Sequence, residues 1–149
     1  MESKSTYLNE EWVELGRAII PEGHFIVTKF VQNVDGVKIT LDDEKNLIEI
    51  FFDGIPLLIR SATEGIRMRT WSEIQLKYQN KYFFKNWFFY QIHNSELSKW
   101  AIEEGCGFYE EKQITHYCIV TSEELIDILT TFKPSIKVSQ ISSVEEKVI

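Results

Sequence analysis

FVQNVDGVKITLDDEKNLIEIFFDGIPLLIR, residues 30–60, is the stretch on which the fold turns. It holds the pairs Asp35-Gly36 and Asp53-Gly54, each set between apolar-rich runs. An Asp-Gly pair flanked by alternating apolar residues is a strong hairpin signal, because both central positions of a type I′ turn favour residues that tolerate positive φ. In such a hairpin the pairing walks outward one residue at a time. Asp53-Gly54 then predicts Phe52 opposite Ile55, Ile50 opposite Leu57 and Ile48 opposite Ile59. Asp35-Gly36 predicts Val34 opposite Val37, Gln32 opposite Ile39 and Phe30 opposite Leu41. With Glu44-Lys45 at the centre of the link from Asp43 to Asn46, Ile39 faces Ile50 and Leu41 faces Ile48. The predicted apolar face holds Phe30, Val34, Val37, Ile39, Leu41, Ile48, Ile50, Phe52, Ile55, Leu57 and Ile59, and helices are expected to pack on it.

The other face is mixed, with Lys29, Lys38, Thr40, Asp42, Glu49, Phe51, Leu58 and Arg60. A following strand over Ile66–Leu76 adds Arg67, Arg69, Trp71 and Glu73 to that side. Like charges directly opposite one another on a sheet are unfavourable, so three neighbouring arginines call for counter-ions. Glu49 and Glu73 supply them in the leading reading, an ion-paired surface. The second reading is a binding site of Arg60, Arg67, Arg69, Trp71, Glu49 and Glu73 for a carboxylate, a phosphate or an acidic surface, since guanidinium forks match such oxygens. The third reading pairs the arginines with the chain's own acidic loop, Glu103, Glu104, Glu110 and Glu111.

Outward from this stretch, a first helix is expected over Leu8–Ile20, where Trp12, Leu15 and Ile19 share a stripe and Pro21 with Gly23 ends it. Further strands are read at His24–Val34, Ile55–Ser61 and Tyr82–His93. Short links between them imply an up-and-down meander of about six strands. Beyond it, Ser95 opens a short helix carrying Leu97, Trp100 and Ala101, stopped by Gly105. Ile114–Val120 reads as a strand. Thr121, with Glu124 three residues on, reads as the capping box of a helix burying Leu125, Ile128, Leu129 and Phe132. Ser135–Ser139 reads as a last short strand. The expectation is therefore an α+β fold: an N-terminal helix, an antiparallel meander, and a C-terminal α-β-α segment packed on the sheet. Residues 1–139 are expected to form one domain and 140–149 a mobile tail.

Bulk properties agree with a globular domain. The chain has 149 residues, is 44% hydrophobic and 26% charged, and carries only 7 Gly and 3 Pro; it needs neither disulfides nor metals to bury a core. Its net charge of −7 is opposite to a nucleic-acid footprint and favours basic partners. No apolar run of membrane-spanning length occurs, and residues 1–11 lack the basic start and apolar centre of a signal peptide. The two cysteines, Cys106 and Cys118, make no disulfide framework, which points to the cytoplasm.

Catalytic chemistry finds little support. His116 and Cys118 alternate on one strand face, but Cys118 lies in an apolar run where a buried inert thiol is the ordinary outcome. No zinc-ligand spacing, calcium loop, phosphate-binding loop, dinucleotide fingerprint or nucleophile elbow is present. No catalytic set, metal site or cofactor is expected. The aromatic run Tyr82-Phe83-Phe84 and Trp87-Phe88-Phe89-Tyr90 is apolar on both alternating faces, so both are expected to be covered. The leading expectation is a non-enzymatic binding domain, of the kind that neutralises a toxin as an immunity-type protein. The alternative is a small-molecule binder or enzyme holding an anion at the arginines. A protein partner is expected ahead of a small molecule, nucleic acid and membrane are not, and an edge strand leaves room for pairing of two copies.

Overall fold

β3 (Gly36–Asp42) and β4 (Asn46–Asp53) pair in the expected register, Val37 with Phe52, Ile39 with Ile50 and Leu41 with Ile48. All six side chains are buried. The computed structural model describes residues 7–141. β2 (Ile26–Asn33) lies antiparallel to β3, with Asn33 opposite Gly36 and Phe30 opposite Ile39. The turn therefore sits at Val34-Asp35, two residues off the expected pairing. The Asn33 side chain accepts the Asp35 amide at 2.8 Å and closes the loop one position early. A shift of two keeps the paired side chains from Lys29 to Asn33 on their faces but moves Val34 off the apolar face into the turn, 86% exposed, and a bulge at Thr28 then breaks the alternation. On the far side of β4 lies β9 (Ser135–Gln140), which completes a four-stranded sheet in the order β2-β3-β4-β9.

The second Asp-Gly pair does not make a hairpin. After Gly54, at φ 76°, the chain turns through Pro56 and enters a second sheet as β5 (Leu58–Thr63). Beside it, β8 (Glu124–Thr130) leaves that second sheet and enters the first as β9. The expected pairing of Phe52 with Ile55 is replaced by two strand pairs, β4 with β9 and β5 with β8. Corners of this kind form where strands switch between packed sheets. The second sheet has five strands in the order β1-β6-β7-β8-β5, all antiparallel, with β1 (Glu11–Glu14), β6 (Phe89–His93) and β7 (Thr115–Val120).

The apolar face of the meander is covered by this second sheet and not by helices: Phe52 packs on Tyr117 with ring centroids 5.4 Å apart. The helices cover the opposite face of the five-stranded sheet. They are α1 (Met68–Tyr78), α2 (Phe83–Asn86) and α3 (Glu96–Glu104). Phe84 packs on Trp12 of β1, and Phe83 stacks on Tyr90 of β6. The result is an α+β single domain of helices, five-stranded sheet and four-stranded sheet, with apolar side chains filling both interfaces.

Four further expectations change. Leu8–Ile20 is not a helix: a 3-10 turn at Tyr7–Asn9 precedes β1, where Trp12 pairs with Ile92, and Gly16 at φ 79° interrupts any continuous helix. The expected strand Ile66–Leu76 is a 3-10 turn followed by α1. Its buried residues Arg67, Thr70 and Ile74 recur at helical spacing, and its exposed Met68, Arg69 and Leu76 are strong helix formers. The expected strand Tyr82–His93 is helical in its first half. The segment after Thr121 is β8 and not a helix. The Thr121 hydroxyl accepts the amides of Glu123 and Glu124 at 3.3 Å each, so the capping chemistry closes the β7–β8 hairpin instead. The C-terminal α-β-α arrangement is thus α3, β7, β8. α3 starts as expected, Ser95 accepting the Ser98 amide at 3.0 Å. Gln140, expected outside the domain, pairs with Asn46 in β9, and the Ile141 amide donates to Lys45 O; the rest of the expected tail, residues 142–149, lies outside the described residues. Among the described residues no helix is long and apolar enough to cross a membrane.

Candidate functional site

Asp127 sits in the middle of β8, within the apolar run Leu125-Ile126-Asp127-Ile128-Leu129, and is 0% exposed. A buried carboxylate requires charge and hydrogen-bond partners. The sheet register supplies the first of them. Arg60 of β5 is directly opposite Asp127, and its Nε donates to Asp127 Oδ2 at 2.9 Å. The 3-10 turn ahead of α1 drops Arg67 onto the same oxygen, with Nη1 2.5 Å away. Arg67 Nε donates to Thr70 Oγ1 at 3.1 Å one turn on, so its guanidinium is held at two points.

Oδ1 goes to β7. His116 Nε2 lies 2.7 Å from it, and His116 Nδ1 lies 2.6 Å from the Ser95 hydroxyl at the start of α3. The directions are consistent along the chain. Ser95 Oγ accepts the Ser98 amide, which leaves its proton for Nδ1, and Nε2–H then donates to Asp127. Cys118, directly across from Asp127 on β7, is fully buried; burial first and the Asp127 charge second push its thiol well above the ordinary range. Burial alone would raise the Asp127 carboxyl. The His116 hydrogen bond and the charges of Arg67 and Arg60 outweigh it, and hold the group far below the usual carboxylate range. Glu10, buried beside β1, accepts the Glu96 amide at 2.9 Å and Trp12 Nε1 at 3.2 Å, and burial raises its carboxyl.

Ser95, His116 and Asp127 have the connectivity of a proton relay, but their surroundings suit a clamp. The Ser95 side chain is buried, and its oxygen already accepts the Ser98 amide while it meets the His116 ring. Asp127 is shared by two guanidiniums, which draws its charge away from the imidazole. What the network does is tie β5, β7 and β8 to the starts of α1 and α3. No described buried side-chain polar atom is left without a partner.

The arginine-centred set read from the sequence is divided by the fold. Arg60 and Arg67 meet at Asp127, as above. Arg69 is on the outer side of α1 and pairs with Glu73 at 2.7 Å. Trp71 is also on α1, packed on Phe84 at 4.7 Å between ring centroids, and lines a separate cleft of about 500 Å³ with Lys81, Lys85 and His24 at its rim. Glu49 lies in the other sheet, 3.4 Å from Lys38. The expectation of one shared face fails because residues 64–78 are helical and β5 belongs to a different sheet from β4. Reasoning from sequence paired His116 with Cys118 and missed Ser95, Asp127 and Glu10. The available signal was the aspartate inside five otherwise apolar positions, a buried charge that demands a cation.

A second cleft, of about 440 Å³, opens beside Arg60 between β5 and α3. Leu58, Ile59, Leu97 and Trp100 supply its apolar wall, and Tyr7 and Glu96 its rim. A third surface lies at the sheet-switching corner. There Gly54 N donates to Asp35 O at 3.0 Å, and the Phe132 ring comes within 3.4 Å of the position a Gly54 side chain would take. Val34, Ile55 and Phe132 are 86%, 75% and 55% exposed on this corner, with Asp35 and Asp53 between them. Compared with known protein families, curated proteins and solved structures, the chain matches none.

Proposed function

We propose that this chain is a non-enzymatic binding domain that engages a basic protein partner, as an immunity-type protein engages a toxin. The observation that carries the reading is the corner: exposed Val34 and Ile55 flank the bonded Asp35 and Gly54, exposed Phe132 reaches the same Gly54, and Asp35 and Asp53 add two carboxylates. Isolated exposed apolar residues are ordinary, but a contiguous group on a rigid support marks an interaction surface. A charge of −7 favours encounter with a cationic partner. The clamp at Asp127 fits the same role, since it stiffens the scaffold and offers no accessible nucleophile.

The test is co-expression with the protein encoded beside this chain, scored by protection of the host and by a titration of the two purified proteins. A saturable complex that weakens at least tenfold in the Val34→Asp/Ile55→Asp variant supports the proposal. A complex of unchanged affinity in that variant, or no complex and no protection, overturns it.

A further inference from the structure

Asp127 is the one carboxylate that pairs with both guanidiniums, while the buried Glu10 bonds to Trp12 Nε1 and the Glu96 amide and pairs with neither arginine among the described residues. Arg67 is enclosed and held at Asp127 and Thr70. Arg60 differs. Among the described residues its hydrogen bonding is the single Nε contact to Asp127, its side chain is about a third exposed, and it lines the apolar cleft between β5 and α3. The less engaged of the two cations on Asp127 therefore stands at the wall of an apolar cleft of about 440 Å³, a volume in the range of small-molecule sites.

We propose that this cleft binds an apolar molecule ending in a carboxylate, with Arg60 as its counter-ion. With Nε committed to Asp127, Nη1 and Nη2 remain as a pair of donors whose spacing matches the two oxygens of a carboxylate. The attraction is strengthened by the apolar surroundings, where charges are screened less than in water. Leu58, Ile59, Leu97 and the exposed Trp100 receive the hydrocarbon part. Glu96 is the acid of the cleft, drawn toward Lys99 at 3.5 Å. Its presence disfavours doubly charged headgroups, so a monocarboxylate suits the site better than a phosphate. The inference is independent of the protein-partner proposal, because the cleft and the corner share no residue.

The experiment titrates the full chain with decanoate below its micelle concentration, following tryptophan fluorescence and amide NMR shifts. Decanol, matched in chain length, and decyl phosphate serve as comparisons. Expected are saturable decanoate binding with shifts at Leu58, Leu97 and Trp100, at least tenfold weaker binding of both comparison ligands, and reduction of decanoate to the level of decanol in Arg60→Gln. Trp100→Ala, at a half-exposed position that leaves the fold intact, weakens decanoate and decanol alike. If Arg60→Gln fails to fold, the comparison of decanoate with decanol on the native chain and Trp100→Ala decide the matter. Equal binding of decanoate and decanol, an unaffected Arg60→Gln, shifts at other residues, or no saturation overturns the proposal.

Discussion

Replacing Asp127 by asparagine keeps the shape of the side chain and removes its charge, which isolates the energetics of the clamp. Arg67, buried and 2.5 Å from the carboxylate, is then left as an uncompensated cation with a neutral amide before it. Breaking a buried pair from one side costs about 3–5 kcal/mol. Arg60 adds little to this loss, since water reaches its side chain and takes over part of the carboxylate's role. With a urea dependence of about 2 kcal/mol/M for a small domain, the unfolding midpoint falls by roughly 2 M. Total stability for a domain of this kind is about 5–15 kcal/mol, so the variant is expected to fold, marginally. The effect depends on pH in a defined direction. The carboxyl is held well below its ordinary value in the folded state, so its stabilisation is complete above the unfolded value, about 3.9, and is lost as pH falls further. Urea titrations of native chain and variant at pH 7 and pH 3, read by tryptophan fluorescence, should therefore show a wide gap that narrows in acid. Asp127→Leu combined with Arg67→Met should recover at least half of the loss, because the cost lies in the orphaned charge. A loss under about 1 kcal/mol at pH 7, or a gap of equal size at both pH values, would refute the account of the clamp.

Two glycines should separate strain from collision. A side chain on Gly36, at φ 144°, would lie 2.1 Å from the Phe52 carbonyl oxygen, whereas one on Gly54 meets nothing nearer than the Phe132 ring at 3.4 Å. In thermal melts Gly36→Ala is expected to lose more than about 3 kcal/mol and Gly54→Ala about 1 kcal/mol, the cost of positive φ alone; similar losses would contradict the register at the corner. A colorimetric thiol reagent should modify exposed Cys106 rapidly in the native protein and reach Cys118, buried and with its thiol pushed up, only after denaturation. Rapid reaction of both cysteines would show that the helical layer does not seal the five-stranded sheet.

The legible parts of this fold are those where alternation is clean. β3 and β4 carry apolar residues at every second position, and a single register satisfies both, so their pairing is already fixed by the pattern. β8 is different in kind. A strand covered on both sides has no alternation, and Leu125, Ile128 and Leu129 also fall on one helical stripe, so periodicity alone favours the wrong element. α1 is obscured because the buried stripe that runs through it from the preceding turn starts with Arg67 and Thr70, polar residues in core positions where Asp127 receives the arginine. The candidate site was hidden for the same reason: Arg60, Arg67, Ser95, His116 and Asp127 are spread over 68 positions of the chain and meet only through the fold. The arginines were rightly noticed as needing counter-ions. For Arg60 and Arg67 that partner is an aspartate sixty or more residues away, whereas Arg69 pairs with the expected Glu73.

The strand pair that runs β4–β5 against β8–β9 has a consequence for how the chain is made. Arg60 and Asp127 are 67 residues apart, and Asn46 waits for Gln140. While the chain is being synthesised from its N-terminus, β2, β3 and β4 can assemble, yet β4 keeps an open edge with alternate apolar side chains until β9 emerges. Long-range pairing of this sort is slow, and an unpaired edge is a template for the wrong neighbour. The completed domain is closed at that edge by its final described strand, so a chain shortened before Ser135 should collect in aggregates while retaining most of its sequence.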